Sequence, residues 1–126
     1  MTIENNRTET RLLIADDDCA FRRTVVEILL PYFTVIDVPS GEDAIHVVET
    51  VQVDVAIFDM NMDLLTGLDA IRWVREHQLE IPCILMSSDV TLEIETQARE
   101  LDTFSVIRKP PRRAHLLDII HCALEI

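Results

Sequence analysis

The sequence predicts an α/β fold, a doubly wound five-stranded parallel sheet with helices on both faces. Short apolar runs alternate with segments of helical spacing along the whole chain, so every pair of strands is separated by the crossover that parallel neighbours require. Several of the runs are continuously apolar rather than alternating, the mark of strands buried on both faces. Polar and charged residues gather just past the runs, where an open sheet of this kind places its ligands.

The first strand is RLLIA, residues 11–15. Asp17 or Asp18 can cap the helix after it, which runs to about Leu30 with Phe21, Val25, Ile28 and Leu29 on its apolar face before Pro31 stops it. FTVIDV (33–38) is the second strand, and Ser40 with Asp43 has the form of a capping box opening a helix through Ala44, Ile45 and Val48. VDVAIF (53–58) is the third strand, followed by a helix that Thr66 can cap and that carries Leu68, Ile71 and Val74. Trp73 is expected to pack partly on that helix, without a functional role. CILMS (83–87) is the fourth strand, and Asp89 precedes a more polar helix bearing Leu92 and Leu101. FSVI (104–107) is the fifth, and Pro111 suits the first turn of a last helix with Leu116, Ile119, Ile120 and Leu124.

A chain of 126 residues suits one domain with its own core. Residues 1–10 contain no hydrophobic stretch and read as a flexible N-terminal segment, 11–126 as the domain, with no output domain after it. A net charge of -12 argues against a surface that neutralises nucleic-acid phosphates or anionic lipid. The apolar runs are too short and too broken by charges to span a membrane, so a cytoplasmic location is expected. Cys19, Cys83 and Cys122 lack CxxC spacing and are expected to be small buried hydrophobes. His46, His77, His115 and His121 show no zinc-site spacing and receive no role.

The residues past the strand ends carry the chemistry: Asp16, Asp17 and Asp18, then Asp59, then Ser87 and Ser88, then Arg108 and Lys109. Acids at a helix start have an ordinary stabilising role. Asp59, which ends an apolar run, is expected to sit partly buried beside other carboxylates, where like charges repel unless a cation intervenes. Lys109 is one candidate cation, and among eleven basic residues it is the only lysine. Its compact ammonium reaches a single oxygen in a tight pocket, which a flat guanidinium does not. The other candidate is Mg²⁺, which prefers oxygen ligands and often binds together with phosphate. Acids, a hydroxyl and a lysine of this kind suit phosphoryl transfer, while the absence of GxxxxGK[ST] and GxGxxG speaks against a nucleotide donor.

In order, and each at its strand end, LLIADDD, VDVAIFDMNM, Gly67 eight residues after Asp59, PCILMSS and VIRKP resemble the receiver domain of bacterial two-component response regulators, of the stand-alone chemotaxis-regulator type, from Arg11 to Ile126. The resemblance implies a (βα)5 flavodoxin-like sheet in the order 2-1-3-4-5. It also implies that Asp59 is the phosphoacceptor, taking its phosphoryl group from the phosphohistidine of a sensor histidine kinase or phosphotransfer protein. Asp17, Asp59 and the backbone carbonyl of Asn61 would bind Mg²⁺, with Asp16 acting largely through water. Ser87 would be the switch hydroxyl and Lys109 the lysine that pairs with the phosphoryl group, followed by a cis proline at Pro110. The acid pair is placed at Asp16 and Asp17, directly after the strand and in register with Arg22, which leaves Asp18 as a helix cap. Asn61 and Asp89 would flank the acyl phosphate and tune its lifetime. The domain would be no enzyme beyond its own phosphorylation and dephosphorylation.

Three positions depart from the family pattern. Val106 stands where many receivers carry a Tyr or Phe whose rotamer changes on activation, so an aromatic switch is unavailable there. Ser88 replaces the usual alanine or glycine and narrows the entrance, and Asp63 stands where proline is common. A downstream protein would be met through the fourth helix, fifth strand and fifth helix, where Arg108, Arg112 and Arg113 lie with Lys109; this basic cluster reads as a solvated helix start in preference to a docking patch. Two alternatives rank below. One is a receiver fold serving as a phosphorylation-independent scaffold, which substitutions at Asp17, Asp59 or Lys109 would favour, and none is present. The other is a haloacid-dehalogenase-like phosphatase, suggested by IFDMN, but Asn61 occupies the second acid's place in its DxD pattern and the chain lacks room for a substrate cap.

Overall fold

The computed structural model describes residues 9–125. Strands and helices alternate as β1 (Arg11–Ala15), α1 (Cys19–Leu29), β2 (Thr34–Val38), α2 (Gly41–Thr50), β3 (Val55–Asp59), α3 (Gly67–Glu76), β4 (Cys83–Ser87), α4 (Leu92–Glu100), β5 (Ser105–Arg108) and α5 (Arg113–Leu124). All strand pairings are parallel and the sheet order is β2-β1-β3-β4-β5, the doubly wound arrangement expected. Among the described residues, no helix is long and apolar enough to cross a membrane.

The central strands explain their own sequences. β3 and β4 are buried at every position and β1 at all but Arg11, so their side chains enter one of two apolar layers. Leu13, Ala15, Ala56, Phe58, Cys83 and Leu85 face α2, α3 and α4; Leu12, Ile14, Val55, Ile57, Ile84 and Met86 face α1 and α5. The edge strands β2 and β5 are only partly buried. Because a strand of this kind is gripped on both sides, polar residues can be placed only where it ends, which fixes the site at the carboxyl rim.

Helix starts follow local chemistry. Asp18 caps α1 by accepting from the N–H of Phe21, Ser40 caps α2 by accepting from Asp43 N–H, and Thr66 with Asp69 forms a reciprocal capping box on α3. Thr91 caps α4 by accepting from Ile94 N–H, and Asp89 precedes the helix as expected.

Several expectations are corrected. Only Cys83 is buried; Cys19 and Cys122 are exposed. Cys19 opens α1 on its outer side, and Cys122 is turned about 200° from the buried Ile120 two residues earlier. Leu92 is 76% exposed because α4 buries Ala98 instead, in keeping with its mostly polar sequence. Pro111 lies before the last helix and not in its first turn, since Arg112 is the N-cap and α5 begins at Arg113. Trp73 packs against the core as expected and also stacks on His77, with ring centroids 3.7 Å apart.

Candidate functional site

The rim is assembled from the ends of β1, β3, β4 and β5. Pairing sets Ala15 beside Phe58, Asp59 beside Met86 and Ser87 beside Arg108, so the first residues beyond these pairs converge. Backbone bonds extend the register past the strands: Asp16 N–H donates to Val38 O at 3.1 Å, Met60 N–H to Met86 O at 2.8 Å and Lys109 N–H to Ser87 O at 2.9 Å. The Lys109–Pro110 peptide is cis, as expected. Gly67 is explained by close approach: a β-carbon there would lie 2.6 Å from the carbonyl oxygen of Asp59 and 2.6 Å from Leu85 Cδ1.

Asp16 and Asp59 are buried, Asp59 more deeply than expected at 3% exposure, while Asp17 is exposed at the mouth. One carboxylate oxygen from each of the three lies within 4.8 Å of the others. Lys109 stands between two of these acids, donating to Asp16 Oδ2 and Asp59 Oδ1 at 3.2 Å each. Asp16 Oδ1 accepts from Asp18 N–H at 2.9 Å, and its carbonyl accepts from Arg22 at 2.6 Å. Arg22 also pairs with Asp37, its Nε 2.9 Å from Oδ2, which holds the β1–α1 turn against the end of β2.

The electrostatics are strained. Burial pushes the Asp59 carboxyl up from 3.8 to about 6, the charge of Asp16 adds to the rise, and Lys109 and the Asn61 backbone hold it back. Burial works to lower the ammonium pKa of Lys109, but Asp16 and Asp59 together outweigh it and the net shift is upward. One lysine thus answers two buried carboxylates, with the third acid unanswered by it. An all-oxygen cluster of this size and charge can hold a hard divalent cation.

Ser87 is 1% exposed, and its hydroxyl is turned to the backbone of Asp89, exchanging bonds of 3.2 Å with Asp89 N–H and carbonyl. Ser88, Asp89, Asn61 and Asp63 are exposed around the mouth. Val106 is half-buried further back on β5, lining a cleft of about 260 Å³ with Glu95, Ala98, Arg99, Thr103 and Ser105. The structure therefore brings Asp16, Asp17, Asp59 and Lys109 together, keeps Ser87 at the rim but engaged locally, and sets Val106 apart from the acids. Sequence reasoning did not find Phe21 at this site: its ring centroid is 4.2 Å from Lys109 Nζ. The helix cap Asp18, three residues before Phe21, was the available signal, but the partner comes from the far end of the chain.

The comparisons agree with this geometry. The sequence matches the family described as response regulator receiver domain over residues 12–121. It is 28% identical over 117 residues to the regulatory protein AtoC of Escherichia coli (strain K12), a match covering 92% of this chain and 25% of that protein. To the regulatory protein VirG of Rhizobium rhizogenes it is 32% identical over 115 residues, covering 90% of this chain and 47% of VirG. The chain thus spans about a quarter to a half of the length of these curated relatives. Among solved structures, the chemotaxis protein CheY4 of Vibrio cholerae superposes with a TM-score of 0.86 at 22% identity, covering 91% of this chain and 98% of that one. A LuxR-family DNA-binding response regulator from Staphylococcus aureus gives 0.86 at 24% identity, with the same shares. Doubly wound sheet, acid cluster positioned for metal-assisted phosphoaspartate chemistry, and family match coincide, and the chain belongs to the response regulator receiver domain family.

Proposed function

We propose that Asp59 is the phosphoacceptor of a two-component signalling system working in the cytoplasm, and that its donor is the phosphohistidine of a sensor histidine kinase or phosphotransfer protein. The observation that carries this reading is the single lysine shared between the buried Asp16 and Asp59 within a cluster of three carboxylates. An Asp59 oxygen attacks phosphorus, the bond to the histidine nitrogen breaks, and its electron pair stays with the imidazole. Asp17, Asp59 and the Asn61 carbonyl, with Asp16 acting through water, would hold Mg²⁺, which when bound offsets the negative charge gathered between the acids and the phosphoryl oxygens. Lys109 exchanges its carboxylate partners for a phosphoryl oxygen, and Ser87 exchanges the Asp89 backbone for another. Asn61 and Asp89 at the mouth tune how readily water reaches the acyl phosphate, and Ser88 restricts its entrance.

Moving Ser87 and Lys109 inward biases the face made by α4, β5 and α5 between two arrangements, and a downstream protein reads that face. Val106 leaves the α4–β5 cleft open, so the readout there proceeds without an aromatic rotamer. The test is the intact mass after incubation with acetyl phosphate and Mg²⁺. One added phosphoryl group, absent from Asp59→Asn and from a metal-free sample, is expected. Labelling that persists in Asp59→Asn overturns the assignment.

A further inference from the structure

Lys109 has three ammonium directions to satisfy. Two are taken by Asp16 and Asp59, and Phe21 occupies a third side, its ring centroid 4.2 Å from Nζ. The ring face carries partial negative charge and attracts an ammonium, more strongly where water is excluded. The lysine side chain is only 17% exposed.

Phe21 is itself held in place. Its N–H donates to Asp18 Oδ1 at 3.1 Å, and Asp18 N–H donates to Asp16 Oδ1 at 2.9 Å. Its side chain is half-buried and packs against the apolar layer between the sheet and α1 and α5. A closed circuit therefore runs from Asp16 through Asp18 and Phe21 to Lys109 and back to Asp16. Asp18, a helix cap by position, is a link in it.

We propose that Phe21 is a positioning residue for phosphoryl transfer: its ring fixes the Lys109 ammonium at the Asp59 carboxylate and so sets the rate at which Asp59 is phosphorylated. The inference rests on Asp59 being the phosphoacceptor. In the step concerned, an Asp59 oxygen forms a bond to phosphorus of acetyl phosphate, the bond from phosphorus to the acetyl oxygen breaks, and acetate leaves with its electron pair. No proton changes hands. An ammonium free to swing toward water would meet the transferring oxygens less often, while one caged by two acids and a ring is already in place.

The sequence offers a direct probe, because Lys109 is the only lysine. In protein labelled with ¹³C-lysine, the ε-methylene gives one signal. Ring current from Phe21 should displace it upfield, and Phe21→Leu should return it toward the position seen for the urea-unfolded chain. With acetyl phosphate and Mg²⁺, Phe21→Leu should label about tenfold more slowly than wild type. Phe21→Tyr, which restores the ring, should recover most of that rate. In a Lys109→Ala background, Phe21→Leu should slow labelling no further, which a merely structural role would not produce.

A wild-type lysine signal at its unfolded position overturns the proposal without any variant, even if Phe21→Leu fails to fold. Equal labelling rates for Phe21→Leu and wild type overturn it as well. Labelling of Asp59→Asn, or none of wild type, instead overturns the phosphoacceptor reading and with it the kinetic half of the proposal; the lysine signal then still decides the placement of the ring.

Discussion

Two cations sit at opposite rims of the same sheet and are treated in opposite ways. At the amino rim, Arg75 from the end of α3 donates to four backbone carbonyls, Leu101 and Asp102 at 2.9 and 3.1 Å and Leu79 and Ile81 at 3.1 and 3.0 Å. Its planar fork matches groups that are fixed by the loops entering β4 and β5. At the carboxyl rim, Lys109 makes two bonds of 3.2 Å to carboxylates that repel each other. The first site is settled and ties loops together. The second holds more negative charge than its cation can answer, so it gains by taking in something else. Satisfaction of polar groups thus separates the structural end of the domain from its chemical end.

Exchanging the two residue types is the sharpest way to break the comparison. Lys109→Arg keeps the charge but puts a flat fork where one ammonium fits, and the rate of labelling by acetyl phosphate is expected to fall about 100-fold. A rate near wild type would mean that charge alone is needed. Arg75→Lys also keeps its charge but cannot reach four carbonyls at once. Urea unfolding should show a loss of roughly 2 kcal/mol, with labelling unchanged in the folded protein. A stability equal to wild type would dissolve the contrast between the rims.

A smaller effect sharpens the comparison through pH. The Asp59 carboxyl is raised from 3.8 to about 6 in the folded chain, so the folded state binds its proton more tightly than the unfolded state does. The resulting stabilisation is complete below about pH 4 and is lost as pH rises through about 6. Asp59→Asn carries no such charge. In metal-free buffer it should match wild type near pH 4 and exceed it by about 1–3 kcal/mol above pH 7. A gap that is constant with pH would show that the buried charge is not the source of the strain.

Much of this was legible in the sequence because it depends on order along the chain. Continuous apolar runs revealed the central strands, and helix caps at Asp18, Ser40 and Thr66 followed from side chains that reach the backbone three residues on. The sheet rule then gathered Asp16, Asp17, Asp59 and Lys109 at one rim. What escaped depends on which elements touch. Phe21 looked like one more apolar position on α1, and only the packing of α1 beside the β5–α5 turn brings it to Lys109. Arg75 carried no signal, because the backbone carbonyls it binds leave no trace in a sequence. Cys19 and Cys122 were misplaced because small residues suit either side of a helix, and composition does not choose between them.

The gathering of the acids and the lysine at strand ends bears on how such a domain can diverge. A substitution inside β1, β3 or β4 disturbs a layer of the core and the aim of an acid together, whereas one on the outer side of a helix disturbs neither. Drift is therefore channelled to the periphery, where new partners can be acquired while the same reaction is retained. A backbone that superposes at a TM-score of 0.86 on a chain of only 22% identity is the outcome such channelling produces.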